Sequence, residues 1–121
     1  LNAVLEAKLT EEMTEPLPEI VPGFLGEASA ERMVSLAEGK RCIVLGPGLS
    51  TQDGAVSLIK SLLEVYNGWV IIDADGLNCV ASNPAILDET AARLVMTPHP
   101  APASRSDRSF QMLRLCLGWD R

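Results

Sequence analysis

The chain has 121 residues, 47% of them apolar and 21% charged, which is a globular composition and not a disordered one, at a length too short for two ordinary domains. The formal net charge is −6, and an acidic body excludes a nucleic-acid surface, which needs clustered Lys and Arg. No apolar run approaches the roughly 18 residues of a membrane span, and the start at Leu1-Asn2-Ala3-Val4-Leu5-Glu6 has neither signal-peptide features nor an initiator Met, so the expectation is a chain that begins inside a longer one and does not meet a membrane.

In chain order, residues 1–27 are rich in Pro and Glu. Pro16, Pro18 and Pro22 exclude a continuous helix and predict an extended segment lying on the surface. Ser29 to Glu38 has apolar residues at helical spacing (Met33, Leu36, Ala37) and a Gly39 stop, which predicts a short helix. Arg41 to Leu45 is a short apolar run closed by Gly46-Pro47-Gly48 and reads as a strand buried on both faces. Gln52 to Tyr66 carries a stripe of Val56, Ile59, Leu62, Leu63 and Tyr66, with Lys60 and Glu64 four apart on another face, and predicts an amphipathic helix. Trp69 to Asp73 reads as a second strand and Arg93 to Thr97 as a third, with short helical stretches at Gly76 to Ala81 and Pro84 to Glu89 between them.

Strand, helix, strand, helical stretch and strand predict right-handed crossovers and a parallel sheet with helices on both faces, a three-layer α/β architecture. Ligands of such sheets sit beyond the carboxyl ends of the strands. There the chain has Gly46-Pro47-Gly48-Leu49-Ser50 after the first strand, Asp73-Ala74-Asp75-Gly76-Leu77-Asn78 after the second and Thr97-Pro98-His99-Pro100 after the third.

Each loop has a plain reading beside the functional one. Gly46-Pro47-Gly48 before a helix can receive an anion but alone is more often an ordinary strand-to-helix turn. Asp73 and Asp75, two apart in extended backbone, would point to one side and could hold Mg²⁺, orient a hydroxyl or perturb one another; equally, one could cap the next helix and the other be solvated. Asn78 could bind a ligand or cap a turn. His99 is the single histidine, held between two prolines at the site edge, and serves structure or catalysis with equal ease. Ligands at zinc spacing are absent from the sequence. Cys42, Cys79 and Cys116 lie far apart and fit no disulfide framework. Cys42 and Cys79, in apolar runs, are expected to be buried thiols, and the compartment reducing and cytoplasmic.

Taken together, the three loops, in this order and at this spacing, resemble the ADP/ATP-dependent NAD(P)H-hydrate dehydratases, enzymes of the ribokinase-like class, and Glu12 to Glu19 is similar to the segment that precedes the first loop there. The resemblance covers about residues 1–100 and implies a partial three-layer ribokinase-like fold. It further implies a lyase of metabolite repair, in which a nucleotide, ADP or ATP with Mg²⁺, activates the ring hydroxyl of hydrated NADH or NADPH so that elimination restores the nicotinamide. By motif match, Gly48 and His99 would contact the hydrated dinucleotide, and Gly46, Asp73, Asp75 and Asn78 would line the same cleft, with the metal ligands unassigned. Homo-oligomers are implied for the family at full length.

The chain departs from the family pattern. Ser50 stands where the first loop usually has another glycine. Ala101-Pro102 follows Pro100 where Gly-Glu is expected, and no Gly-x-Gly-Asp occurs. That motif carries the family's catalytic Asp and opens its nucleotide-binding helix, so no residue of this chain is assigned as catalytic and the fragment alone is expected to be inactive. A non-catalytic dinucleotide-binding or interaction module, or part of a ribokinase-like small-molecule kinase, are the competing readings. Residues 1–100 hold fourteen Asp and Glu against six Lys and Arg, whereas residues 101–121 hold two against four. That atypical basic tail is expected to come from a reading-frame change near Pro100, or else to be a natural terminus with a loosely helical end, Phe110 to Leu117.

Overall fold

The computed structural model describes residues 4, 7–21 and 24–98. A two-stranded antiparallel hairpin of β1 (Glu19–Val21) and β2 (Phe24–Leu25) is followed by helix α1 (Glu27–Ala37). Strand β3 (Cys42–Leu45), helix α2 (Asp53–Val65), strand β4 (Trp69–Ile72), helix α3 (Ala74–Ser82), a single 3-10 turn (Pro84–Leu87) and strand β5 (Arg93–Met96) complete the chain order. The sheet is three-stranded, parallel, in the order β3-β4-β5. Every helix and strand predicted between residues 29 and 97 is present to within one or two residues at most ends, the Pro84 stretch is the 3-10 turn, and the helical end considered for Phe110 to Leu117 lies outside the described residues. The hairpin is an addition: the extended opening segment pairs with itself over residues 19–25.

Register explains the core. Ile43, Val70 and Leu94 lie level across the sheet, as do Leu45, Ile72 and Met96. All six belong to or pack on one apolar core, with Leu45, Val70 and Ile72 fully buried. Helix α2 fills that core with Ala55, Leu58, Ile59, Leu62 and Leu63, the stripe expected from its spacing, and Lys60 and Glu64 pair at 3.6 Å on its outer side. Buried Tyr66 ends α2 and donates its hydroxyl proton to the Lys40 carbonyl at 3.0 Å, which fastens the helix end to the chain entering β3. The Leu63 carbonyl accepts from the Ala91 amide at 2.8 Å, so the entry to β5 is fastened to the same end of α2.

The opposite face differs from the expectation of strands buried on both sides. Cys42, Trp69 and Arg93 share one rank of that face and Val44, Ile71 and Val95 the next. Val44 is 61% exposed, Trp69 48% and Val95 41%, and the Arg93 guanidinium lies over the Trp69 ring, 5.7 Å from its centre, a contact worth about 0.5–1 kcal/mol at an exposed site. Of the three layers, the described residues build two. Right-handed crossovers that step in one direction put their helices on one face, so no described helix reaches the other. Cys42 therefore lies in the open, contrary to the buried thiol expected, because it occupies the rank that faces away from the core.

The opening segment is tied down at buried Ser29. Its hydroxyl donates to the Pro18 carbonyl and accepts from the Gly26 amide at 3.0 Å, which joins the Pro-rich stretch to the first turn of α1. Arg32 and Glu15 pair nearby on the surface, Nε to Oε1 3.1 Å, a contact worth at most about 1 kcal/mol in water. Helix α2 starts close against β2: a Cβ on Gly54 would sit 2.1 Å from the Leu25 carbonyl oxygen.

Two outcomes follow. Gly54→Ala should destabilise the fold by about 1–3 kcal/mol in urea titration, because a backbone carbonyl cannot swing aside and the ~1 kcal/mol gain in helix propensity is outweighed. The bare apolar face should drive concentration-dependent self-association, read by light scattering and reduced by Val44→Lys.

Candidate functional site

Because Leu45, Ile72 and Met96 are level in register, the three motif loops leave the sheet side by side. The ladder runs past the strand ends: the Asp73 amide donates to the Leu45 carbonyl at 3.0 Å and the Thr97 amide to the Ile72 carbonyl at 3.2 Å. Gly46, Asp73 and Thr97 are thus the first residues beyond one straight edge. His99 lies outside the described residues, as does the whole of 99–121.

The first two loops touch through their backbones. A Cβ on Gly46, whose φ is +136°, would lie 1.8 Å from the Asp73 carbonyl oxygen, so only glycine is accommodated here. The Leu49 amide donates to the Gly46 carbonyl at 3.0 Å and closes a tight turn over Pro47 and Gly48. Gly48 has φ +72°, and a Cβ there would meet nothing within 4 Å. Its left-handed backbone fronts open space, the arrangement in which a ligand can approach the main chain. Ser50 follows at φ +67°. A left-handed non-glycine residue costs about 1–2 kcal/mol, a cost that the glycine expected at this position would not carry.

The paired-carboxylate expectation is corrected. Only Asp73 is extended; Asp75 lies in the first turn of α3, where residues two apart no longer share a side. Asp73 occupies the N-cap position of α3 but its side chain makes no cap bond, and its Oδ1 is buried without a hydrogen-bond partner among the described residues. Asp75 turns the other way: its Oδ2 accepts from the Ser50 amide at 2.9 Å. One turn on, Cys79 is fully buried and directs its Sγ to the Ser50 carbonyl at 3.4 Å. Burial pushes the Cys79 thiol above its ordinary value, and the Asp75 carboxylate adds to the shift, so at neutral pH it remains a protonated donor. Asn78, on the same helix, is exposed.

Gly46, Gly48, Asp73 and Asp75 thus meet at one sheet edge, whereas Asn78 stands on the outer side of α3. Cys79 and Ser50 carry a role that sequence reasoning missed. The readable signal was the spacing of Asp75 and Cys79, four apart and so on one helical face. Among the described residues no cluster of three or more His, Cys, Asp or Glu could hold a metal ion, and no described helix is long and apolar enough to cross a membrane.

The sequence profile described as NAD(P)H-hydrate dehydratase matches residues 2–108. The chain is similar to the bifunctional NAD(P)H-hydrate repair enzyme of Moorella thermoacetica, 33% identical over 105 residues that are 87% of this chain and 20% of that protein. The enzyme of the same description from Thermanaerovibrio acidaminovorans is 37% identical over 95 residues, 78% of this chain and 18% of that protein. The human ATP-dependent (S)-NAD(P)H-hydrate dehydratase is 38% identical over 66 residues, 52% of this chain and 19% of that protein. The chain therefore spans about a fifth of the length of these relatives. No solved structure matches it.

Iodoacetamide followed by peptide mapping should label the exposed Cys42 in the folded protein and leave Cys79 unlabelled until denaturant is added, because the thiolate is the nucleophile and burial both covers the Cys79 thiol and pushes it up.

Proposed function

From the premise that the chain belongs to the NAD(P)H-hydrate dehydratase family, we propose that it supplies the dinucleotide-facing part of a dehydratase cleft. Its ligand is hydrated NADH or NADPH, and it acts within the cytoplasm. The observation that carries this reading is the levelled sheet edge, on which the Gly46 and Asp73 loops meet backbone to backbone. Gly48 offers open, left-handed main chain to the dinucleotide, and the buried, unpartnered Asp73 Oδ1 supports an acceptor role toward a ligand hydroxyl, since an unsatisfied buried acceptor costs about 1–3 kcal/mol until it is met. His99 joins them by motif match.

By the resemblance, a bound nucleotide would transfer its terminal phosphoryl group to the ring hydroxyl, and loss of phosphate together with a proton from the neighbouring ring carbon would re-form the nicotinamide double bond. The described residues fit the dinucleotide side of that reaction and not the nucleotide side. No Gly-x-Gly-Asp occurs in the 121 residues, and the described carboxylates do not cluster into a Mg²⁺ site, Asp75 being engaged by the Ser50 amide. The chain itself orients the dinucleotide; no catalytic step is assigned to it. Self-association of the family's full-length enzyme would bring together several such clefts.

Calorimetry with NADPH should give binding, and Gly48→Val, which adds a branched side chain at positive φ, should weaken it at least tenfold, as should Asp73→Ala. Hydrated NADH with ADP or ATP should show no return of nicotinamide absorbance with this chain alone. Absence of NADPH binding to a folded chain would remove the proposal, and measurable turnover would remove its restriction to binding.

A further inference from the structure

Two side chains on one face of α3 engage the same residue of the first loop. Asp75 Oδ2 accepts from the Ser50 amide at 2.9 Å, and Cys79 Sγ lies 3.4 Å from the Ser50 carbonyl. Ser50 is also the non-glycine residue of that loop with φ in the left-handed region, +67°. A conformation that a serine does not favour persists where the surroundings over-determine it. Here both main-chain groups of the residue, its donor and its acceptor, are claimed from one rigid helix.

We infer that Asp75 and Cys79 are positioning residues, a brace that grips Ser50 by both of its peptide groups and so sets the turn that presents Gly48. The chemistry is matched end to end. A carboxylate accepts and cannot donate, and it meets an N–H; a thiol donates weakly, and it meets a carbonyl oxygen. The charge-assisted bond from Asp75 is the stronger of the two. Residues 25 and 29 positions apart are thereby joined, independently of the Gly46–Asp73 backbone contact, which fixes only the base of the loop. Without the brace the loop would keep its base and its Gly46–Leu49 turn but lose the anchor at its far end, just before α2. Asp75 thus acts on the ligand site through the loop rather than by touching the ligand. What the loop is held for rests on the dinucleotide reading; that it is held does not.

Amide hydrogen exchange on the ¹⁵N-labelled chain tests the brace. In the unaltered protein the Ser50 amide should be protected. Asp75→Ala should speed its exchange at least tenfold while the amides of Leu58 to Leu63 in α2 keep their protection. Asp75→Asn, which retains an uncharged acceptor, should restore most of the protection and move the Ser50 amide proton resonance upfield. Cys79→Ala should speed Ser50 exchange by a smaller factor, and Cys79→Ser should recover it. The inference is overturned if Ser50 exchange is unchanged in Asp75→Ala, if the conservative variants recover nothing, or if Asp75→Ala loosens α2 and Ser50 equally, which would mark Asp75 as a general stability residue. Addition of NADPH separates the two readings. Movement of the Gly48 and Leu49 amide resonances in the unaltered protein, lost in Asp75→Ala, supports the brace as a positioning device. If NADPH moves neither resonance while the exchange results stand, the brace holds and the dinucleotide reading falls.

Discussion

The handedness of the crossovers governs this molecule. Connections between parallel strands are right-handed as a rule, and here the strand order β3-β4-β5 steps always in one direction. The described helices therefore share one face of the sheet. One set of alternating residues, from Ile43 to Met96, becomes core, and the other, from Cys42 to Val95, is left in the open. The exposed Val44, the bare Cys42 and the Trp69–Arg93 contact all follow from that single constraint.

The same parallel register levels the strand ends. Because Leu45, Ile72 and Met96 are neighbours across the sheet, three loops scattered over some fifty residues of sequence depart from one edge. The site is then built by close approach. Gly46 lets two backbones meet, Asp73 has a buried acceptor without a partner among the described residues, and α3 reaches across to Ser50 with Asp75 and Cys79. An edge of this kind suits recognition of a polar ligand by main chain and carboxylate together. The acidic residues that look like one ligand set in the sequence are divided in space: Asp75 is held by the Ser50 amide and Asp73 is not engaged there.

Much of the site is legible in the amino-acid sequence, since glycines and acidic residues after apolar runs mark the carboxyl ends of parallel strands. The roles within it are less so. Asp73 and Asp75 look equivalent as letters two apart, but helix α3 begins between them, at Ala74, and one turn of helix rotates Asp75 away from its neighbour. Cys79 reads as filler in an apolar stretch and is indeed buried, yet its thiol is also a donor to a loop 29 residues earlier in the chain. Nothing local encodes that partnership.

The sequence by itself determined the order and kind of the elements: strands where short apolar runs meet glycine, helices where the apolar spacing is three and four, and the loops whose motifs carry the family. Periodicity and turn chemistry are local, so they survive without a fold. Only the tertiary structure decided which side of each strand is core, that Cys42 is open while Cys79 is closed, that residues 19–25 pair as a hairpin and that Asp75 serves Ser50. An apolar strand reads alike from both sides, and its buried side is chosen by where the connecting helices pack. A hydrogen bond between residues 25 apart exists only once two loops stand on the same sheet edge.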